Sequence, residues 1–193
     1  MEIIIVGRGN VGRALGPRLL AAGHTVTYAV REPGASDETA IEGAGRAAQV
    51  VILAVPFPAV TEVVEQLDLS PGTILVDATN PFGRPVPGFS AGALLVADTA
   101  PAGVPVVKAF NVMGAEAMAD PDFPAGAPLM PVAGDDPDAV ETVVLLARSL
   151  GFDALPVGAL QSAGLLEEAA RYWGLLAMAG GLGRDFALGA LQR

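Results

Sequence analysis

The sequence predicts an α/β chain built on a doubly wound, mostly parallel sheet, and three observations carry that expectation. An apolar run, Ile3 to Val6, enters closely spaced glycines and is followed by a helical stripe and a second apolar run ending at Val30. Val50 to Val55 is apolar throughout, as expected of a parallel strand covered on both faces. Further short apolar runs, Thr73 to Asp77 and Val104 to Ala109, alternate with stretches of helical period, the pattern of repeated strand–helix units.

The glycines Gly7, Gly9 and Gly12 follow the order G-x-G-x-x-G, and Asn10 and Val11 then open a helix through Ala14, Leu15, Leu19 and Leu20 that stops at Gly23. Each glycine answers a physical demand: a tight turn at Gly7, close approach of backbone to a pyrophosphate at Gly9, and close packing of helix on strand at Gly12. Phosphates then sit on free N–H groups at the positive end of a helix. A strand before the loop, a helix after it and a second strand beyond make this a Rossmann-type βαβ unit. The end of the second strand normally selects the dinucleotide, since an acid there binds the ribose hydroxyls of NAD(H) and an Arg accommodates the 2′-phosphate of NADP(H). Here the strand ends in Val30 and Arg31, with Glu32 one step later, which favours NADP(H). Two readings stand for Arg8: a second ligand to the same phosphate, or a solvated loop charge.

After Arg31 a turn-rich stretch leads to an expected short helix over 38–47, too little chain for a full helix and third strand, so that strand is expected to be missing or rudimentary. Pro56-Phe57-Pro58 ends the Val50 strand, and Val60, Val63, Val64 and Leu67 line one face of the next helix, with Pro58 in its first turn. The Thr73 strand delivers Ala78-Thr79-Asn80-Pro81, and the Val104 strand delivers Phe110 and Asn111. Helices are expected over 90–100, 113–119, 137–150 and 163–179, with strands over 129–133 and 152–157. One domain is expected over 1–193, with a dinucleotide-binding core at 1–112 and a C-terminal α/β extension with helices at 113–193.

Composition excludes several classes. A net charge of −10 and a pI near 4.4 disfavour nucleic acid and anionic membranes as partners. With no cysteine, thiol nucleophiles and thiolate metal sites are ruled out. The one histidine, His24, falls where the first helix turns into the second strand and is read as structural, so no metal site is expected. Without an uninterrupted run of ~18 apolar residues, the chain reads as a cytoplasmic protein.

Five stretches together, GRGNVG with GHTV, VVILAVP, DATNP, VKAFN and GGLGRDF, resemble the coenzyme F420-dependent NADP oxidoreductase family, which includes the NADPH-binding domain of membrane metalloreductases. The resemblance implies NADP(H) and direct hydride transfer between the nicotinamide and a flavin or deazaflavin such as coenzyme F420. It implies that Gly7, Arg8, Gly9, Asn10, Val11 and Gly12 hold the pyrophosphate, Arg31 the 2′-phosphate, and Ala54, Val55, Pro56, Asn80 and Pro81 the ribose and nicotinamide. The chain departs from the family pattern at Val30 and Glu32 around strand two, in the abbreviated segment that follows, and at Gly164, where the family commonly has an Arg before a Leu-Glu pair.

Hydride transfer needs no nucleophile and no tuned acid, only stacked rings with reacting carbons roughly 3–3.5 Å apart. No catalytic residue is therefore assigned; Asn80, Pro81, Phe110 and Asn111, with Pro56, Phe57 and Met113, are the candidates around the nicotinamide because they end parallel strands. Asn80 reads equally as a ribose or carboxamide ligand and as a turn residue, and Phe110 more as core than as a stacking platform. Lys108 either neutralises an acidic cofactor tail or extends its stem along apolar surface. Asp77 reads as a loop cap, Tyr172 and Trp173 as packing or a homodimer surface, and Glu167 and Glu168 as a solvated face. The expected partner is a small-molecule redox acceptor. The alternative from another class is a non-catalytic NADP(H)-binding sensor or subunit module. The 3-hydroxyacid dehydrogenases and pyrroline-carboxylate reductases resemble the N-terminal unit but append a helical domain that completes the substrate site, for which this chain is expected to be too short unless a dimer partner supplies the missing wall.

Overall fold

The computed structural model describes residues 1–191, so the end of the expected 113–193 extension lies outside the described residues. Eight strands form one sheet: β1 (Glu2–Val6), β2 (Thr25–Val30), β3 (Glu38–Ala40), β4 (Val50–Leu53), β5 (Ile74–Asp77), β6 (Val106–Lys108), β7 (Leu129–Gly134) and β8 (Asp153–Pro156). Their spatial order is β3-β2-β1-β4-β5-β6-β7-β8. All neighbours run parallel except β6 and β7, which pair antiparallel with Val107 opposite Gly134. The helices are α1 (Asn10–Ala21), α2 (Val60–Gln66), α3 (Gly92–Thr99), α4 (Ala115–Ala119), α5 (Pro137–Ser149) and α6 (Ala163–Met178).

The period of two along each strand divides the core between the sheet's faces. Ile3 and Ile5 of β1, with Val50 and Ile52 of β4, pack against Leu15 and Leu19 of α1 and the apolar faces of α5 and α6. Val6, Val51 and Leu53 point the other way, onto Val60, Val63 and Val64 of α2 and Val96 of α3. All four residues of β4 are buried because helices cover both of its faces. The topology reverses at β1 and β4, whose first connections lead to opposite faces, and it is there that open sheets bind ligands beyond the strand C-termini.

The expected helix over 38–47 does not form. Its start is the three-residue strand β3, rudimentary as anticipated, which pairs only with the last half of β2, Tyr28 opposite Glu38. Because β3 begins level with the middle of β2, the chain has little height to recover and needs no crossover helix. The residues after it are tied elsewhere: the Gly43 amide donates to Gln66 O at 2.9 Å and the Gly45 amide to Leu67 O at 2.7 Å. A Cβ at Gly45 would lie 2.6 Å from Leu69 Cδ2, so close docking against the end of α2 decides this segment over its helical composition.

Candidate functional site

The glycine loop leaves β1 at Gly7, whose φ of +99° is a left-handed conformation open to glycine. A Cβ at Gly7 would lie 2.7 Å from Ala54 O, and one at Gly12 would run into the Gly7 carbonyl, so the chain's own packing demands both glycines. Gly9 differs: a Cβ there meets nothing within 4 Å. Nothing inside the protein requires glycine at this point, and the open space lies beside the start of α1. Gly9 caps that helix without a side-chain hydrogen bond, and the first turn carries no acid. The amides of this turn therefore present positive, unpaired donors to a space that an anion fits.

Arg8, one step before Gly9, is not a free loop charge. Its guanidinium donates to Glu38 at 2.6 Å and to both oxygens of Asp37 at 3.0 and 2.9 Å. It also lies over the Tyr28 ring, 4.6 Å from the centroid. Glu38 in turn accepts from the Gly34 and Ala35 amides at 2.9 and 3.0 Å. Those backbone bonds, led by Gly34 and joined by Arg8, hold the Glu38 carboxyl at about 2. Arg31, by contrast, is exposed at the end of β2.

A cleft of about 560 Å³ opens beyond the ends of β1, β4, β5 and β6. Asn10 and Val11 stand at one end, Ala54, Val55, Pro56 and Asn80 along the floor, and Trp173 and Met178 of α6 at the other end. The candidates Phe57, Pro81, Phe110, Asn111 and Met113 also line it. Asn80 and Asn111 are locked together: Asn80 Nδ2 donates to Asn111 O and Asn111 Nδ2 to Asn80 Oδ1, each at 2.9 Å. Asn111 Nδ2 donates as well to Leu166 O at 3.1 Å, so two acceptors fix the orientation of this amide. Asn111 Oδ1 is then left buried with no partner. An orphaned buried acceptor is costly unless a ligand or water meets it. Phe110 is core, as expected: it is fully buried, edge-on to Phe152 at 6.1 Å, with a φ of +58°.

Behind the floor lies a buried ionic cluster. Lys108 Nζ donates to Asp77 at 2.8 Å and to Thr79 O at 2.6 Å and lies 3.3 Å from Glu167. The solvated-face expectation for Glu167 is therefore overturned, while Glu168 is exposed and pairs with Arg171. Glu167 also accepts from the Gly92 and Ala93 amides at 3.1 and 3.2 Å, so one carboxylate ties α6 to the start of α3 and to β6. Neither reading offered for Lys108 holds: its charge is spent inside the protein, and its head does not reach solvent.

Residues 2–81 match the family described as NADP oxidoreductase, coenzyme F420-dependent. A solved structure of the hypothetical protein SMa0349 from Sinorhizobium meliloti is 32% identical, with 85% of this chain and 88% of that one covered and a TM-score of 0.75. That of a proposed F420-dependent NADP reductase from Arthrobacter sp. FB24 is 25% identical, with 98% and 100% covered and a TM-score of 0.85. The chain belongs to the coenzyme F420-dependent NADP oxidoreductase family. Metalloreductase STEAP3 of Rattus norvegicus is 31% identical over 171 residues, 84% of this chain, and the chain spans 35% of that relative's length.

Within this family member the α6 wall is what sequence reasoning missed. Trp173 is buried as packing, yet it also faces the cleft, stacked on Phe186 at 5.3 Å and donating through Nε1 to Phe186 O at 3.1 Å. Arg184 lies over the same indole, 5.4 Å from its centroid, and pairs with Glu116. The small residues Ala170 and Gly174, one helical turn apart, leave the room that makes this a wall, a spacing that offered the one available signal. Tyr172 points away and is exposed. Among the described residues no cluster of His, Asp or Glu could hold a metal, and no helix is long and apolar enough to cross a membrane.

Proposed function

We propose that this chain binds NADP(H) along the C-terminal edge of its sheet and passes hydride between the nicotinamide and a flavin or deazaflavin acceptor of the coenzyme F420 type. One observation carries the reading. A single cleft runs from the unpaired amides of α1 to the α6 wall; its described lining residues include no Ser, Cys, His, Asp, Glu, Lys or Tyr, and the hydroxyl of Thr79, which does line it, is committed to Asp77 at 2.7 Å. A site with no uncommitted nucleophile and no titrating acid or base suits a reaction driven by positioning.

In this reading the amides of Asn10, Val11 and Gly12 take the pyrophosphate, which the empty space at Gly9 admits. Arg31 meets the 2′-phosphate, and Ala54, Val55 and Pro56 line the ribose. Asn80 and Pro81 border the nicotinamide, and Asn111 holds the Asn80 amide in place through a pair of 2.9 Å hydrogen bonds. Phe110 supports that wall from within the core. Bound there, the cofactor supplies the hydride, and the protein holds the two rings in register and excludes water. Trp173 and Met178 offer the acceptor an apolar face, while Arg84 and Arg184 stand on the cleft lining as the cations for an anionic acceptor tail.

Because Trp173 is the one tryptophan and lines the cleft, its fluorescence reports occupancy. Titration with NADPH is expected to quench it, and adding coenzyme F420, FMN or FAD is expected to oxidise the bound NADPH with one of them. Tight binding with turnover on none of the three would replace this reading with that of a binding module.

A further inference from the structure

The acids beside Arg8 are the feature that this reading leaves unexplained. Arg8 projects from the glycine loop next to the pyrophosphate position, and Tyr28, beneath it, lies two residues from the end of β2, where a dinucleotide's adenosine ribose sits. A guanidinium together with two backbone amides is the donor set that a phosphate monoester takes. Here a side chain of the protein takes it. Glu38 Oε2 occupies the Gly34 and Ala35 amides, and its Oε1 occupies Arg8 Nη1. Asp37 accepts from Nη1 and Nη2, so three of the guanidinium's bonds go to internal carboxylates.

We propose that Glu38 and Asp37 are resident counterions at the 2′-phosphate position and set this chain's preference between NADPH and NADH. The inference rests on the dinucleotide reading above. The cluster has one cation and two carboxylates. A 2′-phosphate carries roughly −1.5 to −2 charge near neutral pH, so it meets net repulsion and must compete for Arg8. The bare ribose of NADH brings hydroxyl donors instead, which a carboxylate accepts. Asp37, with 44% of its side chain exposed, is open to such a donor, whereas Glu38 at 13% is the enclosed member that holds the loop. Arg31 remains exposed and is the cation left for the phosphate. The acids thus narrow a discrimination that Arg8 and Arg31 would otherwise make steep.

The test measures dissociation constants for NADPH and NADH, with adenosine 2′,5′-bisphosphate and AMP as competitors, on the full chain and on Glu38→Gln and Asp37→Asn. Each variant is expected to tighten NADPH and the bisphosphate by about threefold to tenfold, with NADH and AMP changed by less than about twofold in Glu38→Gln and weakened in Asp37→Asn, which loses the carboxylate open to the ribose hydroxyls. Asp37→Asn leaves the amide bonds of Glu38 intact and covers the case in which Glu38→Gln disturbs the loop. Arg8→Ala combined with Asp37→Asn is expected to abolish the gain. Equal effects on both cofactors, or none, would overturn the inference while leaving the function standing. Failure of wild type and variants to bind either cofactor would overturn both.

Discussion

Replacing Gly9 by Ala separates folding from binding. Gly9 has φ −76° and ψ −163°, an extended conformation that any L residue adopts, and its added methyl meets no atom of the protein within 4 Å. Restricting the unfolded chain is worth about 0.4–1 kcal/mol to stability, against roughly 0.5–1 kcal/mol lost because Ala caps a helix less well than Gly. The Tm is therefore expected to move by less than about 4 °C for a domain of this size. Binding behaves otherwise, since the methyl occupies the space through which a pyrophosphate reaches the α1 amides. Charge-assisted hydrogen bonds contribute about 1.5–3 kcal/mol each. Losing one or two costs about 3 kcal/mol, or roughly a hundredfold in Kd. Tryptophan quenching by NADPH measures the loss and thermal unfolding measures the stability, on the same sample. Gly12→Ala is the control: its methyl runs into the Gly7 carbonyl, so stability and binding fall together. A Gly9→Ala protein that binds NADPH within about threefold of wild type would refute the placement of the pyrophosphate.

Arg31→Ala is expected to weaken NADPH by about 1.5–3 kcal/mol with little change for NADH; equal losses in parallel titrations would remove Arg31 from the 2′-phosphate. Lys108→Met leaves the Asp77 and Glu167 carboxylates buried without their cation and is expected to cost about 3–5 kcal/mol in urea unfolding. Glu167→Gln leaves the Lys108–Asp77 pair in place and costs less, about 1–3 kcal/mol; a neutral Lys108→Met would contradict the cluster's structural role. Glu38, lowered from 4.5 to about 2, binds fewer protons folded than unfolded in that interval. Its contribution to stability is therefore complete above about 4.5 and fades as pH falls toward 2. Unfolding at pH 3 and pH 6 is expected to show a smaller acid loss for Glu38→Gln than for wild type, and an unchanged loss would dissociate Glu38 from it.

The sequence by itself determined the elements whose cause is local. The glycine spacing before Asn10, the apolar runs of β1, β4 and β5 and the helical stripes of α2 and α5 lie where they were read, because side-chain period alone tells which face is covered. It also placed Ala54, Val55, Pro56, Asn80, Pro81, Phe110 and Asn111 at strand ends, and a parallel sheet brings its strand ends to one edge. Only the tertiary structure decided which distant charges meet. Arg8 finds Asp37 and Glu38 because a short third strand returns beside Tyr28, and that strand replaced an expected helix. Glu167 looked like one of a solvated Glu-Glu pair; the packing of α6 on α3 carries it onto Lys108 from the far end of the chain. Trp173 became a cleft wall in the same way. Local pattern encodes whether a side chain is covered, but its partner depends on topology, since contacts across the sheet leave no period along the chain.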